Sequence, residues 1–384
     1  MRQLEFVPSH RLDQFQVLHF PMKISCEREK FSQAFQLVAS AVAGRDVKPV
    51  LQNVKATATK KSVLLQATDT EVGIRLVLDD CEGLEKGNAI LPTKQFKRIL
   101  QESHEVRLHI ESDQERTIVS GERSRFTLPT QSADEFPDVA EFDETSYHEV
   151  SVKVLREIIR RTIFAIDADN TQYSLTSVLL EFVDNKILGV ATDGKRLAFQ
   201  EGVAECIGEH KAEGTLFPAK ALQLLEKALS GDDEVVQVSV SNNRALFRSG
   251  NITFFTRLVE GRFPRWRTII PTTEGKSPIV LLAGTLNSAI RLAACVTSER
   301  EPGLIFTFGE GKLVLQGRGA ELGEGDVEVP IAYSDEAKAV KLDPRFFTDY
   351  LKAVGSETSL SLYVDEPVHI RTDDAYIYVV MPMS

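Results

Sequence analysis

Three short stretches decide how this chain is built: Ala89-Ile90-Leu91-Pro92-Thr93-Lys94, Leu216-Phe217-Pro218-Ala219-Lys220 and Lys341-Leu342-Asp343-Pro344-Arg345. Each runs from strand-like residues through a proline and a basic residue into an apolar pattern of helical period. Both proline intervals, 218 − 92 and 344 − 218, are 126 residues. Proline suits the first helical position, because its fixed φ fits the helix and its missing N–H would be unpaired there anyway. Each of the three prolines therefore predicts a helix start.

Working outward from these stretches, a helix is expected to open each unit as well. Phe31, Ala34, Phe35 and Val38 fall at i, i+3, i+4 and i+7 and share one face. Leu155, Ile158 and Ile159 do the same in the second unit, and Leu286, Ile290 and Ala293 in the third. Between the helices the period drops to two, as in Val178 to Phe182 and Lys186 to Val190, with Asp184-Asn185 as the turn. Further strands are expected at Val235 to Val240, Ala245 to Arg248, Thr253 to Leu258 and Ala375 to Met381.

Helix, strands, helix, strands is an α+β plan of two helices packed on antiparallel sheets. The period is far too long for a solenoid, whose repeats run to about 50 residues. Breaks at the acidic Glu141 to His148 and at Pro271 to Pro278 predict three tandem domains, 22–143, 149–272 and 277–384. Residues 1–21 show no such repeat and stand apart as an N-terminal extension.

With 384 residues, 42% hydrophobic and 26% charged, the composition is that of an ordinary globular protein. No apolar run approaches the roughly 18 residues of a membrane span, and Met1 to Pro21 lacks a signal-peptide core, so a cytoplasmic protein is expected. Cys26, Cys81, Cys206 and Cys295 are far apart in sequence with no C-x-x-C pair, which predicts reduced, buried thiols.

The net charge is −11, yet the six expected helices (27–38, 92–102, 153–163, 218–229, 284–296 and 343–354) together carry +7, leaving −18 for the rest. Lys94, Lys97 and Arg98 cluster within one or two turns, as do Lys153, Arg156 and Arg160, and Lys220 follows the second proline. Such a stripe suits phosphates, although any single basic helix also fits a merely solvated face. There is no zinc finger, basic zipper or aromatic RNA-binding signature. Binding would therefore be sequence-independent. An acidic exterior with a basic interior suits a ring that admits DNA only through its hole.

No enzyme is expected. Gly275-Lys276-Ser277 lacks the earlier glycine of a phosphate loop, since position 270 is Ile270. Asp167-Ala168-Asp169-Asn170 lacks the glycine of a calcium loop, Gln172 standing there, and reads as a polar loop. No H-E-x-x-H or G-x-S-x-G occurs, and Asp193 reads as a turn residue. No catalytic residue, metal or cofactor is assigned.

Four further strings carry a family resemblance: Val190-Ala191-Thr192-Asp193-Gly194-Lys195-Arg196-Leu197-Ala198, Leu258-Val259-Glu260-Gly261-Arg262-Phe263-Pro264, Ser124-Arg125-Phe126 and Tyr378-Val379-Val380-Met381-Pro382-Met383. From Met22 to Ser384 the chain resembles the bacterial DNA polymerase III beta subunit, the sliding-clamp family. The resemblance implies a DNA clamp fold, with three clamp-type domains forming half of a six-domain ring, and a non-catalytic processivity factor. Its implied partners are duplex DNA bound without sequence preference and a second copy in a head-to-tail homodimer. They also include the replicative polymerase alpha subunit, a clamp loader ATPase and other proteins bearing clamp-binding motifs. No membrane is among them.

Carried over by position, Arg45 and Tyr173 join the helix cations as DNA contacts, with Ser174 replacing an aromatic of the family. The dimer contact would take Phe126, Lys94 and Gln95 from one chain, and Cys295, Val296, Glu299 and Arg300 from the other. The pocket for partner peptides would comprise Leu175, Thr192, Gly194, Lys195, Arg196, Leu197, Pro264, Ile269, Val379, Val380, Met381, Pro382 and Met383. Lys195 stands where a histidine is common, Thr268 where an arginine can occur, and Ser384 ends the chain early. Met22-Lys23 resembles the usual family start, so translation from Met22 is expected, the alternative being that Met1 to Pro21 is a flexible arm. On its residues alone, Val379 to Met383 reads as an edge strand and tail, and the whole chain also fits a repeat-built protein-binding scaffold without DNA function.

Overall fold

The apolar faces marked in the sequence fold into six α-helices among the described residues: α1 (Arg28–Val38), α2 (Thr93–Glu102), α3 (Val152–Thr162), α4 (Ala219–Ala228), α5 (Ala283–Ala293) and α6 (Pro344–Ala353). The computed structural model describes residues 22–44, 48–113, 115–171, 174–209, 214–229, 231, 234–241, 243–298, 301–309 and 311–383. Arg45, Tyr173, Glu299, Arg300, Ser384 and the 1–21 extension lie outside them.

A strand precedes the first helix of each repeat: Met22–Glu27 before α1, Tyr147–Ser151 before α3 and Ile279–Leu282 before α5. This corrects the expectation that each repeat opens on a helix. Met22, Ile24 and Cys26 are wholly buried at alternate positions, a signal too short to stand out beside the helix that follows. Pro344 is the first residue of α6, as expected, whereas Pro92 and Pro218 are N-caps one residue ahead of α2 and α4. The ring's fixed φ fits either place. Strand pairing carries the backbone further in the second case, where Pro218 still pairs with Ser177.

The chain divides into two units, one reaching to Ala67 and including Leu76–Asp138, the other made of Thr68–Arg75 and Val139 onward. In the first, α1 and α2 meet through Phe31, Phe35 and Phe96, with ring centroids 5.1–6.2 Å apart. An antiparallel sheet orders Glu82–Glu85, Met22–Glu27, Arg107–Ser112, Arg116–Ser120 and Arg125–Pro129 side by side.

In the second unit, Asp184 and Asn185 adopt φ of 50° and 58° and close the hairpin of Ser177–Val183 with Lys186–Thr192, as the sequence predicts. Helix α3, capped by the Ser151 hydroxyl accepting from the Val154 N–H, presses closely on this sheet. A Cβ on Gly189 would lie 2.3 Å from Ile158, and one on Gly202 2.3 Å from Val154. The strands expected near Val235, Ala245 and Thr253 form as Val235–Ser241, Arg244–Ser249 and Ile252–Arg257.

Strand Tyr376–Val380 is not an edge. It lies inside an eight-stranded sheet, between Arg196–Val203 and Val368–Arg371, with Arg196 opposite Val380 and Gln200 opposite Tyr376. The middle and last repeats thus share one sheet. Two arginines cross the same junction, Arg161 buried and Arg196 half-buried. Arg161 donates to Gln200 Oε1 at 2.7 Å and Asp374 Oδ2 at 2.6 Å, pairs with Glu157 at 2.8 Å, and stacks 5.0 Å over Tyr376.

Candidate peptide cleft and nucleic-acid faces

The second arginine of the junction builds a cleft. Asp193 Oδ1 accepts from the Lys195 and Arg196 amides, each at 2.9 Å, and Gly194 takes the positive φ of +85° that this turn requires. That confirms Asp193 as a turn residue. The turn aims Arg196 inward, where it donates to Asp193 at 3.0 Å, Asp349 at 2.9 Å and the Phe164 carbonyl at 2.7 Å, and stacks 4.6 Å over Phe346. Its neighbour Lys195 points to solvent.

Above them opens a cavity of about 660 Å³. Its apolar lining includes Ile166, Phe346, Met381, Pro382 and Met383, and its polar rim Asp167, Lys195, Asp343 and Arg345. The strand ends are pinned, the Met381 amide to the Lys195 carbonyl and the Met383 amide to the Lys341 carbonyl, both at 2.8 Å. Methionines over a fixed floor give an adaptable apolar surface. A second hollow of about 500 Å³ is lined by Leu179, Glu181, Gly261–Thr268 and Gly214.

Two family models match the chain, "DNA polymerase III beta subunit, N-terminal domain" over residues 22–140 and "DNA polymerase III beta subunit, central domain" over 149–265, together more than half its length. The chain belongs to the DNA polymerase III beta subunit family. Among relatives, the beta sliding clamp of Pseudomonas aeruginosa is 29% identical over 369 residues, covering 94% of this chain and all of the relative. That of Escherichia coli K12 is 27% identical over 372 residues, with the same coverage. Among solved structures, a P. aeruginosa sliding clamp bound to griselimycin aligns at TM-score 0.87 and 27% identity, over 94% of this chain and 99% of that one. The α+β architecture is therefore the clamp fold.

Against this frame, the cleft residues expected from the family separate into three groups. Lys195, Arg196, Met381, Pro382 and Met383 line the larger cavity, and Pro264 the smaller. Thr192, Leu197, Val379 and Val380 are buried strand residues that back the cleft, Leu197 and Val379 within a core that includes Trp266 and Phe199. Gly194 and Ile269 are exposed, and Leu175 is half-buried, its carbonyl accepting from the Asp167 amide. The guanidinium of Arg196 is held by Asp193, Asp349 and the Phe164 carbonyl and forms the floor of the cavity.

Ile166, Asp343, Arg345, Phe346 and Asp349 were missed. Asp343 had a signal, standing in the third copy of the repeated proline motif. It caps α6 by accepting from the Arg345 amide at 2.9 Å and holds the Arg345 guanidinium at 2.6 Å.

The expected phosphate-facing cations fall on helix surfaces. Lys94, Lys97 and Arg98 are exposed on α2. On α3, Lys153 and Arg160 are exposed and Arg156 half-buried, and the three share a hollow with Glu157 and Glu226. Lys220 is exposed but paired with Asp69 at 2.7 Å.

Of the dimer residues, Phe126 is an exposed aromatic, 41% accessible, and lines a hollow of about 750 Å³ with Gln95, Ile99 and Leu128. Lys94 and Cys295 are exposed and Val296 half-buried, with exposed Leu292 one helical turn before Val296. The expectation of four buried thiols is corrected: Cys26 and Cys81 are buried, but Cys206 and Cys295 are not. Cys206 lies on the short edge strand Glu205–Ile207, whose outer side has no neighbour in the sheet among the described residues.

No described helix is long and apolar enough to cross a membrane. No group of metal-ligating residues occurs among the described residues.

Proposed function

We propose that this protein is the non-catalytic processivity factor of a bacterial replicative polymerase, acting in the cytosol as a head-to-tail homodimeric ring around duplex DNA. Membership of the DNA polymerase III beta subunit family carries the reading. Three domains per chain, at 22–143, 149–272 and 277–384, make six around the ring, and the recurrence of strand, helix, strands, helix and strands supports that division. The exposed cations of α2 and α3 face the DNA phosphates. The exposed Phe126 of one chain meets Cys295 and Val296 of the next. Segments of the polymerase alpha subunit, the clamp loader ATPase and other partners dock on the cleft floored by Arg196.

Phosphate contacts alone fail as salt rises, by about 10³–10⁵ for many contacts between 50 and 200 mM. A closed ring escapes that limit, because it leaves only by opening or by reaching a DNA end. Loaded protein should stay on closed circular DNA through a high-salt wash and be lost once the DNA is cut. Unchanged retention after linearisation would overturn the ring, and no retention on either form of DNA would favour the scaffold without DNA function. The solution mass should equal two chains of 42.7 kDa, or slightly less if translation starts at Met22.

A further inference from the structure

In the first unit, strand Met22–Glu27 pairs antiparallel with Glu82–Glu85, with Ser25 opposite Glu82. Continued one step, that register would set Cys26 opposite Cys81, which immediately precedes the strand and whose thiol interacts with that of Cys26. Directly opposed residues in an antiparallel pair have Cα atoms about 4.5 or 5.5 Å apart and side chains on one face. Both distances lie within the range of about 4.4–6.8 Å that a disulfide spans. Cys26 is wholly buried and Cys81 4% exposed.

We propose that Cys26 and Cys81 are a redox-active dithiol that closes to an intrachain disulfide when a peroxide-class oxidant reaches Cys81. The register sets the pair, and the charges around it set the order of events. The Cys26 thiol is held protonated by its interaction with Cys81 and by burial. Cys81 is lowered by the same interaction, with Arg107 assisting against burial and Asp80. Cys81 is therefore the attacking sulfur. Its thiolate takes one oxygen from hydrogen peroxide, whose O–O bond breaks and whose other oxygen leaves as water. The Cys26 sulfur then attacks the sulfenic acid, the S–S bond forms and a second water leaves. In sum, two thiols and one peroxide give one disulfide and two waters. The bond would tie the edge strand Glu82–Glu85 to its neighbour.

The test uses the full chain carrying Cys206→Ser and Cys295→Ser, which removes the two exposed thiols. After treatment with hydrogen peroxide it is unfolded and alkylated with iodoacetamide. The proposal expects a mass loss of about 2 Da, no alkylation at either remaining cysteine, and a tryptic peptide joining them, all reversed by dithiothreitol. Two alkylated cysteines after oxidation would overturn it, as would Cys81 stopping at the sulfinic acid without a crosslink. A Cys81→Ser version with an unchanged melting curve should leave Cys26 alkylatable after the same treatment. Loss of alkylation at Cys26 in that variant would show that the two cysteines do not act as a pair.

Discussion

Arg160 and Arg161 are neighbours on one helix and have opposite uses. A step of about 100° around the helix turns Arg160 out to water and Arg161 into the junction of the middle and last repeats, where its side chain is 7% exposed. Lys195 and Arg196 repeat the contrast beside the cleft. The inward member of each pair is an arginine whose planar fork satisfies several acceptors at once and stacks on an aromatic ring. The outward members keep their charge for whatever arrives from solution. A count of basic residues per segment merges these two populations, one spent on the fold and one left facing solvent.

The largest effect should come from breaking the inward set. Arg161→Met removes the cation shared by Asp374 and Glu157 and the donor to Gln200, and because both carboxylates keep access to water it should cost about 3 kcal/mol in urea unfolding. A loss below 1 kcal/mol would mean that the junction does not depend on it. Next comes His369, wholly buried on strand Val368–Arg371 and stacked 4.7 Å from Tyr363. An arginine cannot shed its proton to escape burial, but a histidine can.

Burial first, then Arg371 and Lys276, push the His369 pKa down to about 4 against the pull of Asp365. Unfolded histidine titrates near 6.5. Between those values the unfolded chain binds the extra proton. The stabilisation is therefore complete above pH 6.5 and lost as pH falls towards 4, by about 2–3 kcal/mol. His369→Phe should flatten that part of the stability–pH curve. An unaltered curve would show that the imidazole takes up its proton at the same pH in the folded and the unfolded chain.

The outward set predicts the reverse pattern. Lys153→Ser with Arg160→Ser should move unfolding by no more than about 0.5 kcal/mol per site. The same pair should lower the slope of log affinity for duplex DNA against log salt by about 2. A changed stability with an unchanged slope would exchange the two roles.

How far the sequence could be read follows the same division. Local signals carried through: the Asp184-Asn185 turn and the helix faces both depend on neighbours in the chain. Arg161 was readable too, standing three residues after buried Ile158, but its charge argued for the surface. What failed was non-local. Tyr376–Val380 resembles an edge strand until its partner, Arg196–Val203, is known, and that partner lies nearly half the chain away. Phe346 and Asp349 belong to the cleft only because Arg196 reaches across to them. Family resemblance supplied Met381, Pro382 and Met383, yet it could not tell a residue that lines the cavity from one, such as Leu197, that backs it.

The smallest effect separates Lys195 from Arg196. Lys195 meets a docked segment only from the rim, in water, where an ion pair contributes at most about 1 kcal/mol. Lys195→Ala should therefore weaken binding of a fluorescent partner peptide by no more than about fivefold and leave the unfolding curve in place, the difference shrinking as salt rises. Arg196→Met should lower stability as well, because Asp193, Asp349 and the Phe164 carbonyl lose their donor beneath the cavity. Equal loss of stability in both variants would mean that the lysine, too, is held by the fold, and the distinction between inward and outward cations would fail at the cleft.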